Sequence, residues 1–398
     1  MAHDSEPLAP HPQPLSPSGG EGRIVVLDAF TLSDGNSSTW SALERLGDLE
    51  VFDRSSPDEV LIRAREATVL ITNKARVGAD VIEQSPKLRM IAVTATGYDC
   101  VDITAATRRG IAVANVPEYG TDSVAQFTFA LLLELCHHVG LHANAVRSGD
   151  WSRSPDFCFW KTPLVELSGL TLGIIGFGRI GRRVGEIAHA FGMHVLACSR
   201  PQLDVLPLPL LLGKGAGVRG GGTSLGVNHV TGNEPLGAPI TPDPSPQRGE
   251  GRNLDSTSDP ISAVCTSLDE LASHADVISL HCPLTNETRG LINRELLRCM
   301  KPTAFLINTS RGGLVVDSDL ADALNSDVIA GAALDVISSE PIATDNPLLT
   351  ARNCLITPHI AWATAAARRR LLDCTIANVE AFLAGRPSNL VVDPSAQK

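Results

Sequence analysis

The chain has 398 residues, 43% of them hydrophobic, and a formal net charge of −11. Its length and apolar content allow two globular cores, and its acidity argues against nucleic acid or an anionic membrane as a partner, since both would repel it. Nine cysteines with no C-x-x-C pair predict free thiols in a reducing, cytoplasmic setting rather than a disulfide framework. The best apolar run, 127–136, is too short to cross a bilayer and contains Glu134. The first residues lack the basic and apolar regions of a secretory signal.

Residues 1–22 read as a disordered tail. A second stretch, 205–258, reads as a low-complexity insertion rich in Gly, Pro, Ser and Asn. The two share a pattern, SPSGGEGR at 16–23 and SPQRGEGR at 245–252. The copies have no apolar face to stack, which predicts one element inserted twice rather than a repeat architecture.

Outside these stretches, strand and helix alternate. Strands are predicted at 23–28, 69–72, 90–93 and 112–114, with helices at 58–65 and 102–109. Ser123-x-x-Gln126 reads as a capping box before an apolar run that continues toward His142. A second alternating series begins at Thr171. Two such series predict an α/β fold with two doubly wound domains built on parallel sheets.

Residues 170–175 form an apolar strand that runs into Gly176-Phe177-Gly178-Arg179-Ile180-Gly181, followed by a helix at 182–191 and a strand at 193–197. In this setting the glycines serve a tight turn, close approach to a pyrophosphate and close helix–strand packing, which predicts a dinucleotide site. An NAD site usually ends its second strand with an acid for the ribose 2′-hydroxyl. Here Ser199 and Arg200 stand instead. Two readings of Arg200 remain side by side: a partner for a 2′-phosphate, favouring NADPH or both cofactors, and a surface residue opening the insertion.

Three further strands, at 304–308, 328–334 and 354–357, lead into Arg311, Glu340 and His359. Carboxyl ends of parallel strands share one edge, where ligands of such sheets bind. Hydride reduction of a ketone leaves an alkoxide that needs a proton, which a histidine can supply. A carboxylate beside it orients and charges the imidazole. A substrate carboxylate needs a fixed cation, and guanidinium binds it with a planar fork. The trio therefore points to oxidoreduction of a small 2-oxo or 2-hydroxy acid.

These segments, with ALLLEL (130–135), ADVISLHCPLTNETRGLIN (275–293), INTSRGGLVVD (307–317), ALDVISSEP (333–341) and TPHIAW (357–362), resemble the D-isomer-specific 2-hydroxyacid dehydrogenases across nearly the whole chain outside the two low-complexity stretches. The resemblance implies two Rossmann-like domains with a cleft between them. The substrate domain would be discontinuous, 23–116 and 362–398, and the NAD(P)-binding domain would be 117–361. It implies that Arg311 binds substrate, that Glu340 and His359 form the acid–base pair, and that Arg179, Ile180, Thr309, Ser310, Asp335 and Trp362 line the cofactor with Pro283 nearby. Thr96 and Gly97 lie in the loop expected to hold the substrate carboxylate, with Asn73 and Lys74 at its mouth. A homodimer is implied; no metal is.

Within the family, ITPHIAWAT and ANVEAFLAGRPSNLVV are most similar to glycerate dehydrogenases, also called hydroxypyruvate reductases. This implies NAD(P)H-dependent reduction of hydroxypyruvate to D-glycerate and the reverse. Two alternatives stay open: a general glyoxylate or 2-oxo acid reductase, and a non-catalytic NAD(H)-sensing binding protein. The stretch 151–160, with Phe157 and Phe159, either covers the substrate or packs at an interface. No regulatory domain is expected after residue 398, unlike in the long phosphoglycerate dehydrogenases.

Overall fold

The computed structural model describes residues 22–33, 37–198 and 263–394. Ser199, Arg200, the insertion at 205–258 and the tail before Gly22 lie outside the described residues. Five strands come first: β1 (Arg23–Val26), β2 (Asp48–Val51), β3 (Val69–Thr72), β4 (Met90–Val93) and β5 (Ala112–Ala114). Seven follow: β6 (Thr171–Ile175), β7 (His194–Cys198), β8 (Ala263–Cys265), β9 (Val277–Leu280), β10 (Phe305–Asn308), β11 (Gly331–Leu334) and β12 (Cys354–Ile356). The last is β13 (Leu390–Val392).

They form two sheets. The first has the order β13-β5-β4-β3-β1-β2 and the second β12-β11-β10-β9-β6-β7-β8. All pairings are parallel except β13 with β5. In each sheet the first strand in sequence lies inside, and the order reverses beside it: between β1 and β3, and between β6 and β9. Ligands of open α/β sheets bind outside the strand ends at such a switch point.

Both sheets are covered on both faces. In β3, Leu70 joins one core while Val69 and Ile71 join another. In β10, Leu306 faces one core while Phe305 and Ile307 face the other. Alternation of side chains along a strand explains why runs buried on both faces, such as MIAV and AVA, are apolar throughout. Strands β2, β8, β9 and β13 were not predicted. β2, DLEV, mixes acids with apolar residues and has none buried, and β13, LVV, is apolar but only three residues long, so each gives a weak strand signal.

The chain crosses between the sheets twice. After β5 it enters the helix Thr121–His137, and after β12 it enters the helix Ala365–Leu383. The predicted capping box at Ser123 is corrected. The helix starts earlier, at Thr121, from Gly120, and no side chain caps it. Ser123 is buried in the first turn, where its hydroxyl donates to the Ala361 carbonyl at 2.7 Å and ties the two crossings together. Nor does this helix run on to His142. His138 takes φ 45°, and a separate helix, Val139–Arg147, follows at a bend of 56°. No single helix among the described residues is long and apolar enough to cross a membrane.

The helix Ala365–Leu383 lays Leu371 and Val379, both fully buried, into the core under β1, β3 and β4. The end of the chain thus completes the core of its beginning. Leu371→Ala should therefore lower unfolding free energy by about 2–5 kcal/mol, the usual effect of truncating a buried leucine, read as a lower urea midpoint. A loss below about 0.5 kcal/mol, typical of a surface site, would remove this helix from that core.

Candidate active site

The glycine-rich loop sits at the switch point of the second sheet. Gly176 takes φ +97°, and a Cβ there would lie 2.5 Å from the Cys282 backbone nitrogen and 2.6 Å from the His281 carbonyl carbon. A Cβ on Gly181 would lie 2.2 Å from the Gly176 carbonyl oxygen. These two glycines serve the turn and the packing of helix on strand. Gly178 differs, because a Cβ there would meet nothing within 4 Å. The helix Arg179–Ala190 begins directly after it with no side-chain cap, three residues earlier than the sequence suggests. Free N–H groups at a helix start, facing open space, suit a pyrophosphate. Ser199 and Arg200, expected at the ribose, lie outside the described residues.

Arg311 follows β10. Buried Asn308 shapes its loop, donating to the Arg311 carbonyl at 2.9 Å and accepting from the Ser310 N–H at 3.0 Å. The guanidinium donates to the Ser310 carbonyl at 2.8 Å and then lies across Gly97, where a Cβ would come within 2.4 Å of Nη2. Gly312 packs on the loop that carries Glu340, and a Cβ there would lie 1.9 Å from the Ile337 carbonyl.

His359 and Glu340 meet as expected, with Nδ1 2.7 Å from Oε2. With Nδ1 engaged, Nε2 is left for the cleft. Burial pushes the Glu340 carboxyl up, but the hydrogen bond and charge of His359, the Ile337 N–H and the Lys74 charge together hold it below the ordinary carboxylate range. His359 itself has φ +55°, a conformation that is uncommon outside glycine. Asp335 holds it there. Its carboxylate accepts from the Thr357 hydroxyl at 2.7 Å and from the Ile360 and Ala361 N–H groups at 2.8 Å each. Burial raises the Asp335 carboxyl above its usual value, against the pull of these bonds.

A cavity of about 270 Å³ brings Arg311 and His359 together with Asn73, Lys74, Thr96 and Gly97. Gly178, Arg179, Ile180, Thr309, Ser310, Asp335 and Trp362 line it too. Several of these side chains have other partners. Thr309 contacts the Thr128 hydroxyl at 3.2 Å, and Ser310 donates to the Cys282 carbonyl at 2.6 Å. Arg179 pairs with Glu118, and Trp362 stacks edge-on against Tyr119 at 6.3 Å. Asn73 is buried and donates to the Thr94 carbonyl at 2.6 Å. Pro283 is exposed and does not line the cavity; its carbonyl accepts from the Thr288 hydroxyl. Trp151, Phe157 and Trp160 are 51%, 88% and 67% exposed and stand apart from it.

The cavity also holds groups that sequence reading missed. Burial pushes the Tyr119 phenol up to about 12, partly offset by Arg311, so it stays a neutral donor. His281 is driven down to about 4 by burial and stays neutral, 2.8 Å from the Ser279 hydroxyl. The signal for Tyr119 was faint, one aromatic in a PEYG crossing. His281 was more accessible, directly after the apolar strand β9.

A dinucleotide loop, a guanidinium and a histidine–carboxylate pair thus surround one cavity. Residues 129–206 and 245–361 match the family model described as D-isomer specific 2-hydroxyacid dehydrogenase, NAD binding domain. The chain is 44% identical to a hydroxypyruvate reductase of Blautia hydrogenotrophica, over 93% of this chain and 99% of that protein. It is 35% identical to a glycerate dehydrogenase of Methylorubrum extorquens, over 84% and 89%. Among solved structures it is similar to an NADPH-dependent glyoxylate/hydroxypyruvate reductase from Sinorhizobium meliloti in complex with NADP and malonate. That match has TM-score 0.69 and 25% identity, and covers 94% of this chain and 97% of the other.

Gly97→Ala probes the site directly. The added methyl meets only the ends of two flexible side chains, Arg311 at 2.4 Å and Asp99 at 3.3 Å, so the fold should hold and the guanidinium should shift. Binding of oxalate, a small carboxylate, should weaken about 10-fold or more, the scale of one charge-assisted hydrogen bond. NADH affinity and melting temperature should stay near wild type. Unchanged oxalate affinity would mean that Arg311 does not hold the carboxylate.

Proposed function

Because the chain belongs to the D-isomer specific 2-hydroxyacid dehydrogenase family, we propose that it reduces hydroxypyruvate to D-glycerate, and runs the reverse reaction, through Arg311, Glu340 and His359. The observation that carries this reading is the 2.7 Å His359–Glu340 contact beside the cavity that Arg311 and the glycine-rich loop share. The nicotinamide dinucleotide, when bound, supplies or accepts the hydride at C2. Gly178 and the start of the helix Arg179–Ala190 would hold its pyrophosphate.

Arg311 pairs with the C1 carboxylate, which the loop at 95–97 faces from the other domain. His359 gives a proton from Nε2 to the C2 oxygen as it becomes an alkoxide. Glu340 stays ionised and stabilises the imidazolium that serves as donor. Tyr119, neutral and half-buried, adds a hydroxyl to the wall. Glyoxylate is the second substrate reading, favoured by the similarity to the Sinorhizobium meliloti glyoxylate/hydroxypyruvate reductase. Ser199 offers no acid to repel a 2′-phosphate, which supports use of NADPH as well as NADH.

We also propose a homodimer in a reducing cytoplasm. Exposed Val139, Leu141, Trp151, Phe157, Trp160 and Leu164 support the first reading. Cysteines outside any disulfide, such as Cys100, Cys136, Cys158 and Cys299, support the second.

Steady-state rates with hydroxypyruvate, glyoxylate and pyruvate, each with NADH and NADPH, test the activity. Absence of turnover with all of them would overturn it. His359→Ala should lower kcat by about 10²–10⁴-fold, the scale of general acid–base catalysis, with NADH binding retained. Glu340→Gln should move the alkaline fall of ketone reduction to lower pH, because the protonated imidazole loses its partner charge. An unmoved profile would separate Glu340 from the proton transfer.

A further inference from the structure

The switch point of the first sheet is built differently from that of the second. Asp28 stands just after β1, and its half-buried carboxylate fills the crevice beside β3. It accepts from three consecutive backbone N–H groups: Asn73 at 2.7 Å, Lys74 at 2.5 Å and Ala75 at 2.7 Å. Successive N–H groups converging on one point form an anion-binding nest. Here the anion belongs to the chain. Burial raises the Asp28 carboxyl above its usual value, while these bonds draw it back.

The gripped loop carries Lys74. Its backbone is fixed, whereas its ammonium makes no hydrogen bond or ion pair among the described residues and lines the same cavity as Arg311 and His359. Its charge is also among those acting on Glu340. Of the other cations on this wall, Arg179 is paired with Glu118, and Arg311 lies against Gly97 at the carboxylate end. With C1 at Arg311 and the C2 oxygen at His359, the remaining substituent is C3.

We infer that Asp28 is a positioning residue: by gripping residues 73–75 it holds the Lys74 ammonium over the cleft, where it selects 2-oxo acids that carry a polar or anionic group on C3. The inference rests on the 2-oxo acid reductase reading above. Asp28 acts through the loop and touches no substrate.

The test compares kcat/KM for hydroxypyruvate, with its C3 hydroxyl, and pyruvate, with none, in wild type, Lys74→Met, Asp28→Asn and the double variant. NADH dissociation constants and melting temperatures are measured alongside. Lys74→Met should lower the hydroxypyruvate-to-pyruvate ratio about 10-fold, the loss expected for one charge-assisted contact. Its NADH affinity should not change. Asp28→Asn should lower the ratio in the same direction, and the double variant should fall no further than Lys74→Met, since both act at one contact. An unchanged ratio in Lys74→Met overturns the inference. So does an Asp28→Asn protein that melts lower yet keeps the ratio, because that is a structural role alone. Lys74 is exposed and its substitution leaves the fold intact, so the first arm stands even if Asp28→Asn does not fold. In either failure the wild type still reduces both acids; a wild type that reduces neither takes down the reductase reading and this inference with it.

Discussion

The carboxylate of Asp335 is almost wholly shielded from water and accepts three hydrogen bonds from the turn at 357–361. That turn leaves β12 and places His359 at φ +55°. A residue held in a sparsely populated backbone region costs of order 1–3 kcal/mol and persists only where its surroundings over-determine it. Asp335 supplies that surrounding. Were its grip lost, the turn would relax toward ordinary φ and the imidazole would swing away from Glu340. The turn that carries His359 and the crossing at Ala361 both hang from this one side chain.

The same device recurs in the other sheet, where Asp28 grips the loop after β3. In both cases a carboxylate at a strand end satisfies backbone amides that a loop would otherwise leave unpaired. In both cases the gripped loop carries a cavity-lining side chain, Lys74 in one and His359 in the other. The cleft is therefore walled by two loops held from behind by acids, Asp335 buried and Asp28 half-buried. Motion of the cleft would have to act at the crossings, where Ser123, Tyr119 and Trp362 join the two passes of the chain.

Much of this was legible in the sequence. The strand runs buried on both faces were mainly apolar, the glycine spacing stood between a strand and a helix, and Arg311, Glu340 and His359 each followed a largely apolar strand. What escaped were features set by tertiary contact. Ser123 and Gln126 form a capping-box pattern, yet the helix begins two residues earlier and the Ser123 hydroxyl is drawn to Ala361. Asp335 reads as one more cleft residue, whereas its oxygens are taken by the turn behind His359. Asp28 ends an apolar run and looks like a strand terminus, because its partners lie 45 to 47 positions away. The edge strands escaped for different reasons: β2 mixes acids with apolar residues, and β13, though apolar, is only three residues long.

A chain of net charge −11 that takes an anionic acid together with an anionic dinucleotide has to resolve its own repulsion. Distance does most of it. At physiological ionic strength the Debye length is about 8 Å, so exposed acids farther away than this are largely screened. Inside the cleft the balance is set by groups within contact range, and these include Arg311, Lys74 and uncapped N–H groups at a helix start. Three acids close to them are engaged: Asp28 by backbone N–H groups, Asp335 by the 357–361 turn, and Glu340 by His359. These three carboxylates have their own donors, which leaves Arg311 and Lys74 for the ligands. Global acidity and local anion binding coexist in part because these acids are already partnered.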